Sequence, residues 1–353
     1  MRQKILAIDP DWATTDLVKN SLREEGYEVI TAADGSEALK KARHERPDVI
    51  LLAATLPGMD GESVARHLKV HPDTAHIPII FLITEDELEN MVIGADSVAT
   101  DYVLKPIDDA ELKGTMKAVL GEEEEEKKTV ISCGSGELDN KMGGGVPLGS
   151  LTLIEGSSGA GKSVLSQQMI WGSLQDRFRL SVFTTENTIQ SLVRQMRSLN
   201  LEIIDFLLLG RIRIYPVEVA QLGTQAPTTL LQAMRRERGR DIIFLDSLTA
   251  AMAHSPIEAV LGFFEQAKRL CADGMTIVVI LHSHAVNSEL LVRIRSLCDA
   301  HLQLRSEEVG KKLVKTLEVT KVRGADKTTG NIISFEVEPG WGMRIIPVNK
   351  VKG

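Results

Sequence analysis

Residues 156–163 read Gly156-Ser157-Ser158-Gly159-Ala160-Gly161-Lys162-Ser163, which matches the spacing G-x-x-x-x-G-K-[ST]. The apolar run Leu151–Ile154 precedes this stretch, and a helical pattern that begins at Val164 follows it. Its three glycines allow the backbone to curl, so that successive N–H groups point inward towards an anion at the start of the helix. Strand, loop and helix together predict a phosphate-binding loop rather than an ordinary glycine-rich turn.

The residue types of this loop suggest roles around a nucleoside triphosphate. Lys162 would reach the β- and γ-phosphates, and the Ser163 hydroxyl would take one Mg²⁺ position. A second apolar strand pattern, Asp241–Leu245, is followed by Asp246, which we expect to hold Mg²⁺ through a water and to orient Ser163. ATP and Mg²⁺ are therefore the predicted cofactors. The predicted nucleotide-binding residues are Gly156, Ser157, Ser158, Gly159, Ala160, Gly161, Lys162, Ser163 and Asp246.

Two further strand ends carry polar residues that could take part in hydrolysis. Glu186 follows the strand pattern Leu180–Thr184 and is the candidate base that would orient the attacking water. Its alternative role is that of an acidic residue at a helix N-terminus. His282-Ser283-His284 would sense the γ-phosphate or simply form hydrogen bonds at a strand end. Glu237 and Glu265 lie on helical patterns and are expected on solvated faces.

Composition places the chain among globular proteins of two domains. It has 353 residues, of which 43% are hydrophobic and 25% charged. No apolar run approaches the about 18 residues that a membrane-spanning helix requires. The three cysteines are odd in number and lack C-x-x-C spacing, which argues against a disulfide framework or a zinc site. A reducing, cytoplasmic location is expected.

Charge is divided unevenly along the chain. Residues 1–128 carry 15 basic and 27 acidic side chains, whereas residues 129–353 carry 26 basic and 22 acidic ones. Neither half has the strongly basic character of a nucleic-acid-binding domain, so nucleic acid is a disfavoured partner. Five consecutive glutamates, Glu122–Glu126, repel one another and predict a solvated linker. The predicted domains are 1–121 and 129–353, joined by an acidic linker at 122–128.

Both domains are predicted to be α/β. In the first, buried strands alternate with helical patterns at Leu17–Glu25 and Ser36–Glu45, which indicates a doubly wound parallel sheet. Its predicted strands are Lys4–Ile8, Val49–Leu52, Ile79–Ile83 and Tyr102–Leu104. In the second, the predicted strands are Leu151–Glu155, Leu180–Thr184, Ile212–Tyr215, Asp241–Leu245 and Thr276–Leu281. Antiparallel hairpins are expected to finish its sheet at His301–Arg305, Leu313–Arg323 and Asn331–Val337, with one turn at Glu308–Lys311.

Residues 1 to about 120 resemble the response-regulator receiver family, which has a CheY-like (βα)5 fold. The motifs are Ile5–Asp9, Pro47–Leu52, Pro57–Gly61 and Asp101–Pro106. The family's phosphoryl-accepting aspartate corresponds to Ala53, and a methyl group cannot serve as a carboxylate nucleophile. By its spacing to Lys105, the family's switch hydroxyl falls at Ile83, one residue before Thr84. The resemblance implies a receiver without its phosphorylation site, used as a docking module.

Residues 129–350 resemble the KaiC-type branch of the RecA superfamily, and within it the FlaH-like archaellum ATPases. The resemblance rests on Gly143–Leu151, Thr184–Thr188, Ser191–Leu199, Lys321–Ala325 and Lys327–Gly330. It implies a RecA-like fold whose basic pair, matching Lys321 and Arg323, reaches the triphosphate of the neighbouring subunit in a ring, usually a hexamer. Where the family has two adjacent glutamates, this chain has Glu186 and Asn187, which argues against vigorous turnover.

These expectations combine into one favoured function and two alternatives. The favoured reading is a nucleotide-dependent scaffold in the assembly of an archaellum-like motor, beside a secretion ATPase or a membrane platform. Any hydrolysis would use Glu186, Lys162, Lys321 and Arg323 as catalytic residues. The first alternative is a KaiC-like signalling ATPase with slow hydrolysis, and the second, less favoured one is a DNA-recombinase-type ATPase.

Overall fold

The computed structural model describes residues 3–84, 86–87, 99–121, 128–253, 255–309, 312–323 and 332–346. The chain forms two compact units, one mainly from residues 1–126 and the other mainly from residues 127–353. The predicted linker residues 122–127 lie outside the described residues. In the part of the chain that is described, no helix is both long and apolar enough to cross a membrane.

The first unit is built on a parallel sheet with the strand order β2-β1-β3-β4-β5. Its described strands are β1 (Lys4–Ile8), β2 (Glu28–Ala32), β3 (Val49–Ala53), β4 (Ile79–Ile83) and β5 (Asp101–Leu104). Its described helices include α1 (Trp12–Glu24), α2 (Gly35–Glu45), α3 (Gly61–Val70) and α4 (Asp109–Leu120). Each of these helices begins after an aspartate whose carboxylate accepts hydrogen bonds from first-turn N–H groups, namely Asp11, Asp34, Asp60 and Asp108.

Strands and helices continue beyond residue 128. The strands are β6 (Val130–Ile131), β7 (Val146–Pro147), β8 (Leu151–Gly156), β9 (Leu180–Thr184), β10 (Ile212–Pro216), β11 (Ile242–Asp246), β12 (Thr276–His282), β13 (Ala300–Val309), β14 (Lys312–Val322), β15 (Ile332–Glu338) and β16 (Gly342–Ile345). The helices are α5 (Gly136–Lys141), α6 (Lys162–Gln175), α7 (Ile189–Arg197), α8 (Ile204–Leu208), α9 (Val219–Leu222), α10 (Ala226–Arg236), α11 (Thr249–Ala253), α12 (Ile257–Ala272) and α13 (Ser288–Leu297).

The main sheet of the second unit has the order β10-β9-β11-β12-β8-β13-β14-β15-β16 in the described residues. The first six strands in this order, from β10 through β8 to β13, are parallel to one another. Strands β14, β15 and β16 continue the sheet as antiparallel hairpins. All residues of β8, β9 and β11 are buried, as expected for a parallel sheet that is covered on both faces. The carboxyl ends of β8, β9, β11 and β12 therefore meet at one edge, where ligands of such sheets bind.

The predicted α/β architecture is confirmed for both units, and the differences concern short or polar strands. Every predicted strand is present, with ends shifted by a few residues at most. The sequence prediction did not include β2, β6, β7 or β16, which are short or mix exposed and buried positions. Glu308 and Val309 of the predicted turn belong to β13, and residues 310–311 lie outside the described residues. The three cysteines are free and buried.

Candidate nucleotide-binding site

The predicted phosphate loop joins β8 to α6. A Cβ atom at Gly156 would stand 2.3 Å from the carbonyl oxygen of Leu304 on β13, so only glycine fits there. Gly161 precedes the first residue of α6 with φ +103°, a conformation that favours glycine. Ser158 and Gly159 form the exposed tip of the loop, whereas Ala160 is buried. The loop thus presents the N-terminus of α6 to solvent beside a close-packed strand.

Lys162 is held inside this loop rather than extended into water. The residue is only 4% exposed, and its Nζ donates a hydrogen bond to the carbonyl oxygen of Ser157 at 2.7 Å. The same Nζ lies 3.3 Å from Nδ1 of His282, at the end of β12. Burial lowers the pKa of Lys162, and the charges of Glu186 and Asp246 oppose that shift. The ammonium group is therefore poised to gain stabilisation from any anion that enters the loop.

Asp246 ends β11 as predicted and is 3% exposed. Its Oδ1 is buried and has no hydrogen-bond partner among the described residues. Burial, reinforced by the charge of Glu186, raises the pKa of Asp246 to about 6. A buried carboxylate oxygen without a partner is unfavourable unless a cation or an ordered water satisfies it. The donor set fits the hard oxygen ligands that Mg²⁺ prefers, with the half-buried Ser163 at the start of α6 as the second contributor.

Glu186 is connected to the same strand ends. Its Oε1 accepts a hydrogen bond from the Ser247 hydroxyl at 2.8 Å and lies 3.2 Å from Nε2 of His282. His282 thus bridges Lys162 and Glu186 through its two ring nitrogens. A lysine ammonium can only donate, so these contacts fit a neutral imidazole that is protonated on Nε2 and donates to the carboxylate. The carboxylate has a side-chain exposure of 41%, which leaves it accessible to a water molecule.

Asn187 occupies the position where the family has a second glutamate, and its side chain is hydrogen-bonded within the protein. Its Oδ1 accepts hydrogen bonds from Ser191 and Gln195 of α7, at 3.1 and 2.7 Å. This side chain is therefore committed to holding the start of α7. Any water-orienting carboxylate at this strand end has to be Glu186.

Lys321 and Arg323 lie at the opposite edge of the sheet. In the sheet, Lys321 of β14 pairs with His301 of β13, and His301 pairs with Leu153 of β8. The phosphate loop begins at Gly156, three residues or about 10 Å further along β8. Lys321 Nζ donates to the carbonyl oxygen of Cys298 at 2.6 Å, and Arg323 lies 3.6 Å from the carboxylate of Asp299. The structure therefore does not bring this pair to the phosphate loop of its own chain.

A buried charge cluster behind the loop was not anticipated from the sequence. Glu155 on β8 is fully buried, accepts a hydrogen bond from Arg295 of α13, and has Nε2 of His301 at 3.0 Å. Burial opposes ionisation of Glu155, but the interactions with His301 and Arg295 outweigh it and hold its pKa below the usual range. The only sequence signal was an acid inside an apolar strand, because its basic partner lies 140 residues away.

The expectation that Glu237 is solvated is wrong, whereas Glu265 is exposed as predicted. Glu237 is 9% exposed and accepts hydrogen bonds from the hydroxyls of Ser181 and Tyr215, at 2.7 and 3.0 Å. It follows the last residue of α10, so the helical periodicity used for the prediction no longer applies to it. Its carboxylate is a structural acceptor rather than a surface charge.

The first unit retains part of an acidic pocket at the carboxyl ends of β1 and β3. Asp9 is buried and paired with Lys105, whereas Asp11 serves as the N-cap of α1. Ala53 is the last residue of β3 and is 1% exposed. The pocket therefore offers one committed carboxylate and no nucleophile at the position where the resemblance would require one.

The switch position predicted at Ile83 is wrong by one residue. Ile83 pairs with Leu104 in the sheet, so Thr84 is level with Lys105. Ile83 is 2% exposed and belongs to the core, whereas the Thr84 hydroxyl donates to Glu87 at 3.1 Å. Glu87 also accepts a hydrogen bond from Thr55 at 2.5 Å. Counting back from Lys105 gives Ile83 because the count assumes a fixed length for the connection between β4 and β5.

Comparison with protein families gives two matches that divide the chain in the same way. Residues 131–350 match the KaiC family of ATPases, and residues 5–117 match the response regulator receiver domain. The FlaH archaeal flagellar ATP-binding protein of Sulfolobus acidocaldarius is 29% identical over 225 residues, 62% of this chain and 98% of that protein. The transcriptional regulator PhoP of Bacillus subtilis is 37% identical over 155 residues, 44% of this chain but 61% of PhoP.

Two solved structures share the fold of the second unit. The flagellar accessory protein FlaH from Methanocaldococcus jannaschii superposes with a TM-score of 0.56 at 27% identity, over 62% of this chain and 99% of that one. A KaiC-like protein from Pyrococcus horikoshii superposes with a TM-score of 0.52 at 19% identity, over the same 62% of this chain. The second of these likenesses concerns the fold alone.

Proposed function

This chain belongs to the KaiC family of ATPases, and we propose that it binds ATP with Mg²⁺ at residues 156–163 and acts as a nucleotide-dependent scaffold. The carboxylate oxygen Oδ1 of Asp246 is buried and has no hydrogen-bond partner in the part of the chain that the structure describes, and its group interacts through charge with the buried ammonium group of Lys162; this observation carries the proposal. Asp246 lies at the carboxyl end of β11 and Lys162 at the start of α6, at the edge of the sheet where anions and their counter-cations bind.

The proposed roles follow from the donors present. Backbone N–H groups of the loop hold the phosphates, and Lys162 exchanges its hydrogen bond to Ser157 for the β- and γ-phosphates. Mg²⁺, held by Ser163 and Asp246, would neutralise phosphate charge when bound. Glu186 would orient a water for in-line attack, and His282 would report the γ-phosphate through its contact with Lys162.

The contacts that the candidate base Glu186 already makes support scaffolding rather than rapid hydrolysis of ATP. Glu186 already accepts from Ser247 and contacts His282, so orienting a water requires it to share or exchange these partners. Asn187 supplies no second carboxylate. The similarity to FlaH supports a place in the assembly of an archaellum-like motor, with a secretion ATPase or a membrane platform as partner.

The receiver unit is proposed to be a docking module that does not accept phosphate. Ala53 offers no nucleophile, and the pairing of Lys105 with Asp9 satisfies the remaining charges of the pocket. Partner binding would then depend on protein surface rather than on phosphorylation. Incorporation of acid-labile phosphate into residues 1–121 during incubation with acetyl phosphate would contradict this part of the proposal.

Lys321 and Arg323 are proposed to complete the nucleotide site of a neighbouring subunit in a ring. Their separation from the loop of their own chain supports a role in trans. We expect Arg323→Ala to shift the ATP-bound protein from ring to monomer in sedimentation velocity, while monomer binding of ATP is retained. Arg344→Ala, which also removes an exposed arginine, serves as the matched control. Identical sedimentation of Arg323→Ala and the unmodified protein would contradict the proposal.

The fate of bound ATP tests the function directly. The purified full-length protein is incubated with ATP and Mg²⁺ for an hour, and the nucleotide that remains bound is identified by chromatography. A scaffold that is gated by binding is expected to return ATP. Catalytic release of ADP and phosphate would instead favour the second candidate, a KaiC-like signalling ATPase, for which the contact between Glu186 and His282 provides the machinery.

A further inference from the structure

Arginines are concentrated at the edge of the main sheet that lies opposite the phosphate loop. Four segments lie at the starts of β9, β10, β11 and β12, namely residues 176–179, 210–213 (which include the first two residues of β10), 235–241 (which include the last two residues of α10) and 272–275. Together they hold eight arginines, four acidic residues and no lysine, although the whole chain has a net charge of −8. The arginines are Arg177, Arg179, Arg211, Arg213, Arg235, Arg236, Arg238 and Arg240.

The sheet register brings these segments together. Leu180 pairs with Ile212 on one side and with Ile242 on the other, and Ile242 pairs with Thr276. The first residues of four neighbouring strands are therefore level, and the residues before them are neighbours. Arg240 Nη1 donates to the carbonyl oxygen of Arg211 at 3.3 Å, which ties two of the segments directly.

Two of the four acidic side chains in these segments, Glu237 and Asp241, already accept hydrogen bonds within the protein. Glu237 accepts from two hydroxyls and has Arg213 and Arg240 each at 3.6 Å. Asp241 accepts a hydrogen bond from the backbone N–H of Arg179 at 2.7 Å. Burial lowers the pKa of Arg240, and the nearby positive charge of Arg213 lowers it further. Positive charge at this edge therefore exceeds what its carboxylates neutralise.

A cleft of about 530 Å³ opens among these residues. Arg179, Arg238 and Arg240 line it, together with Asp241 and Asp273. The Arg240 side chain is 8% exposed and fixed by Glu237, so it forms a rigid wall of the cleft. Arg238 is exposed and has no hydrogen-bond or ion-pair partner among the described residues, and Arg179 has only a 3.9 Å approach to Asp241.

We propose that this cleft is a second anion site, separate from the phosphate loop, which binds a phosphate-bearing ligand. Guanidinium groups bind phosphate oxygens in a bidentate manner, and arginine is enriched where phosphate is recognised in this way. The exposed Arg179 and Arg238 and the fixed Arg240 all line this cleft and supply its donors. Single-stranded nucleic acid is a poorer match, because these segments contain no exposed aromatic residue on which bases could stack.

The test uses the full-length Lys162→Ala protein, in which the phosphate loop is disabled, and inorganic tripolyphosphate without Mg²⁺ as the probe. Titration calorimetry is expected to detect binding that Arg238→Ala weakens about tenfold. Arg235→Ala is the matched control, since Arg235 is an exposed arginine of the same segment whose guanidinium is bonded to Gln266. Asp273→Asn should strengthen binding, because it removes a negative charge from the cleft. Equal losses in the two arginine variants, or no binding to the Lys162→Ala protein, would overturn the proposal.

Two further arms identify the source of the phosphate. Flotation with phosphatidylcholine vesicles, with and without phosphatidylglycerol, tests a lipid headgroup. Vesicle binding that requires phosphatidylglycerol and Arg238 supports a headgroup, and tripolyphosphate binding without flotation supports a soluble ligand. Tighter binding of oligo(dT) than of tripolyphosphate, lost equally in both arginine variants, would replace the anion site by a general nucleic-acid surface. Because all these experiments use the Lys162→Ala protein, their results do not depend on whether ATP binds at residues 156–163.

Discussion

Lys162→Ala is expected to weaken ATP binding by the full-length protein about 100-fold or more. Lys162 is the one side chain of the loop that can place a positive charge on the β- and γ-phosphates, and charge-assisted hydrogen bonds in buried sites are among the strongest available. Among the described residues, its ammonium group has the Ser157 carbonyl and the His282 ring as hydrogen-bond partners. Both are weaker partners than a phosphate.

The stability of the fold should change much less than the affinity for ATP. Burial lowers the pKa of Lys162, which means that the folded chain is penalised for keeping this charge. Removing it relieves that penalty, while Asp246, whose pKa is raised to about 6, is left with less compensation. We therefore expect a small change in melting temperature beside a large loss of affinity.

Equilibrium binding of a fluorescent ATP analogue, with and without Mg²⁺, measures the loss of affinity in Lys162→Ala. Thermal unfolding measures the change in its melting temperature. Lys117→Ala is a matched control, because Lys117 is a partly exposed lysine paired with Glu25 in the receiver unit. Undiminished ATP binding by Lys162→Ala would show that residues 156–163 are not the nucleotide site.

Local patterns were sufficient for the phosphate loop and its strands. The loop is encoded in eight consecutive residues, and β8, β9 and β11 consist mainly of apolar residues, so the prediction of the loop and of these strands did not need distant partners. The polar residues that follow these strands were predicted to act on one triphosphate, and parallel strands end at a common edge of the sheet. His282, Glu186 and Lys162 lie together at that edge, as the topology requires.

What the sequence did not reveal depends on contacts between distant segments. Glu155 and Arg295 are far apart along the chain, and no periodicity links a strand residue with a helix residue. The burial of Glu237 depends on hydroxyls from β9 and β10, which approach it only in the folded sheet. The one-residue error at Ile83 has a related cause, because only the strand register shows that Thr84 is level with Lys105. Spacing in sequence measures chain length and not position in the sheet.

Arg295→Leu is expected to destabilise the second unit by about 3–5 kcal/mol at neutral pH, because it leaves the carboxylate of Glu155 buried without its guanidinium partner. Replacing both charges, as Glu155→Met with Arg295→Leu, should recover most of the loss, since an apolar pair of similar size needs no compensation. Arg293→Leu, an exposed arginine on the same helix, is the matched control. Urea unfolding monitored by tryptophan fluorescence reports on this unit through the partly buried Trp171, whereas the exposed Trp12 and Trp341 contribute little change.

The pH dependence of that loss distinguishes a buried charge from a simple packing defect. In the unmodified protein the pKa of Glu155 is held low, so its contribution is complete above the unfolded pKa and is lost as pH falls through the folded value. Without Arg295, the effect of burial on Glu155 is opposed by His301 without the help of the guanidinium, so the pKa of Glu155 rises from its value in the unmodified protein and protonation in mild acid relieves part of the penalty. The difference in unfolding free energy between Arg295→Leu and the unmodified protein should therefore shrink between pH 8 and pH 5, an interval chosen around the usual carboxyl range. A difference that stays constant over this interval would mean that Arg295 stabilises the fold through its packing and not through the charge of Glu155.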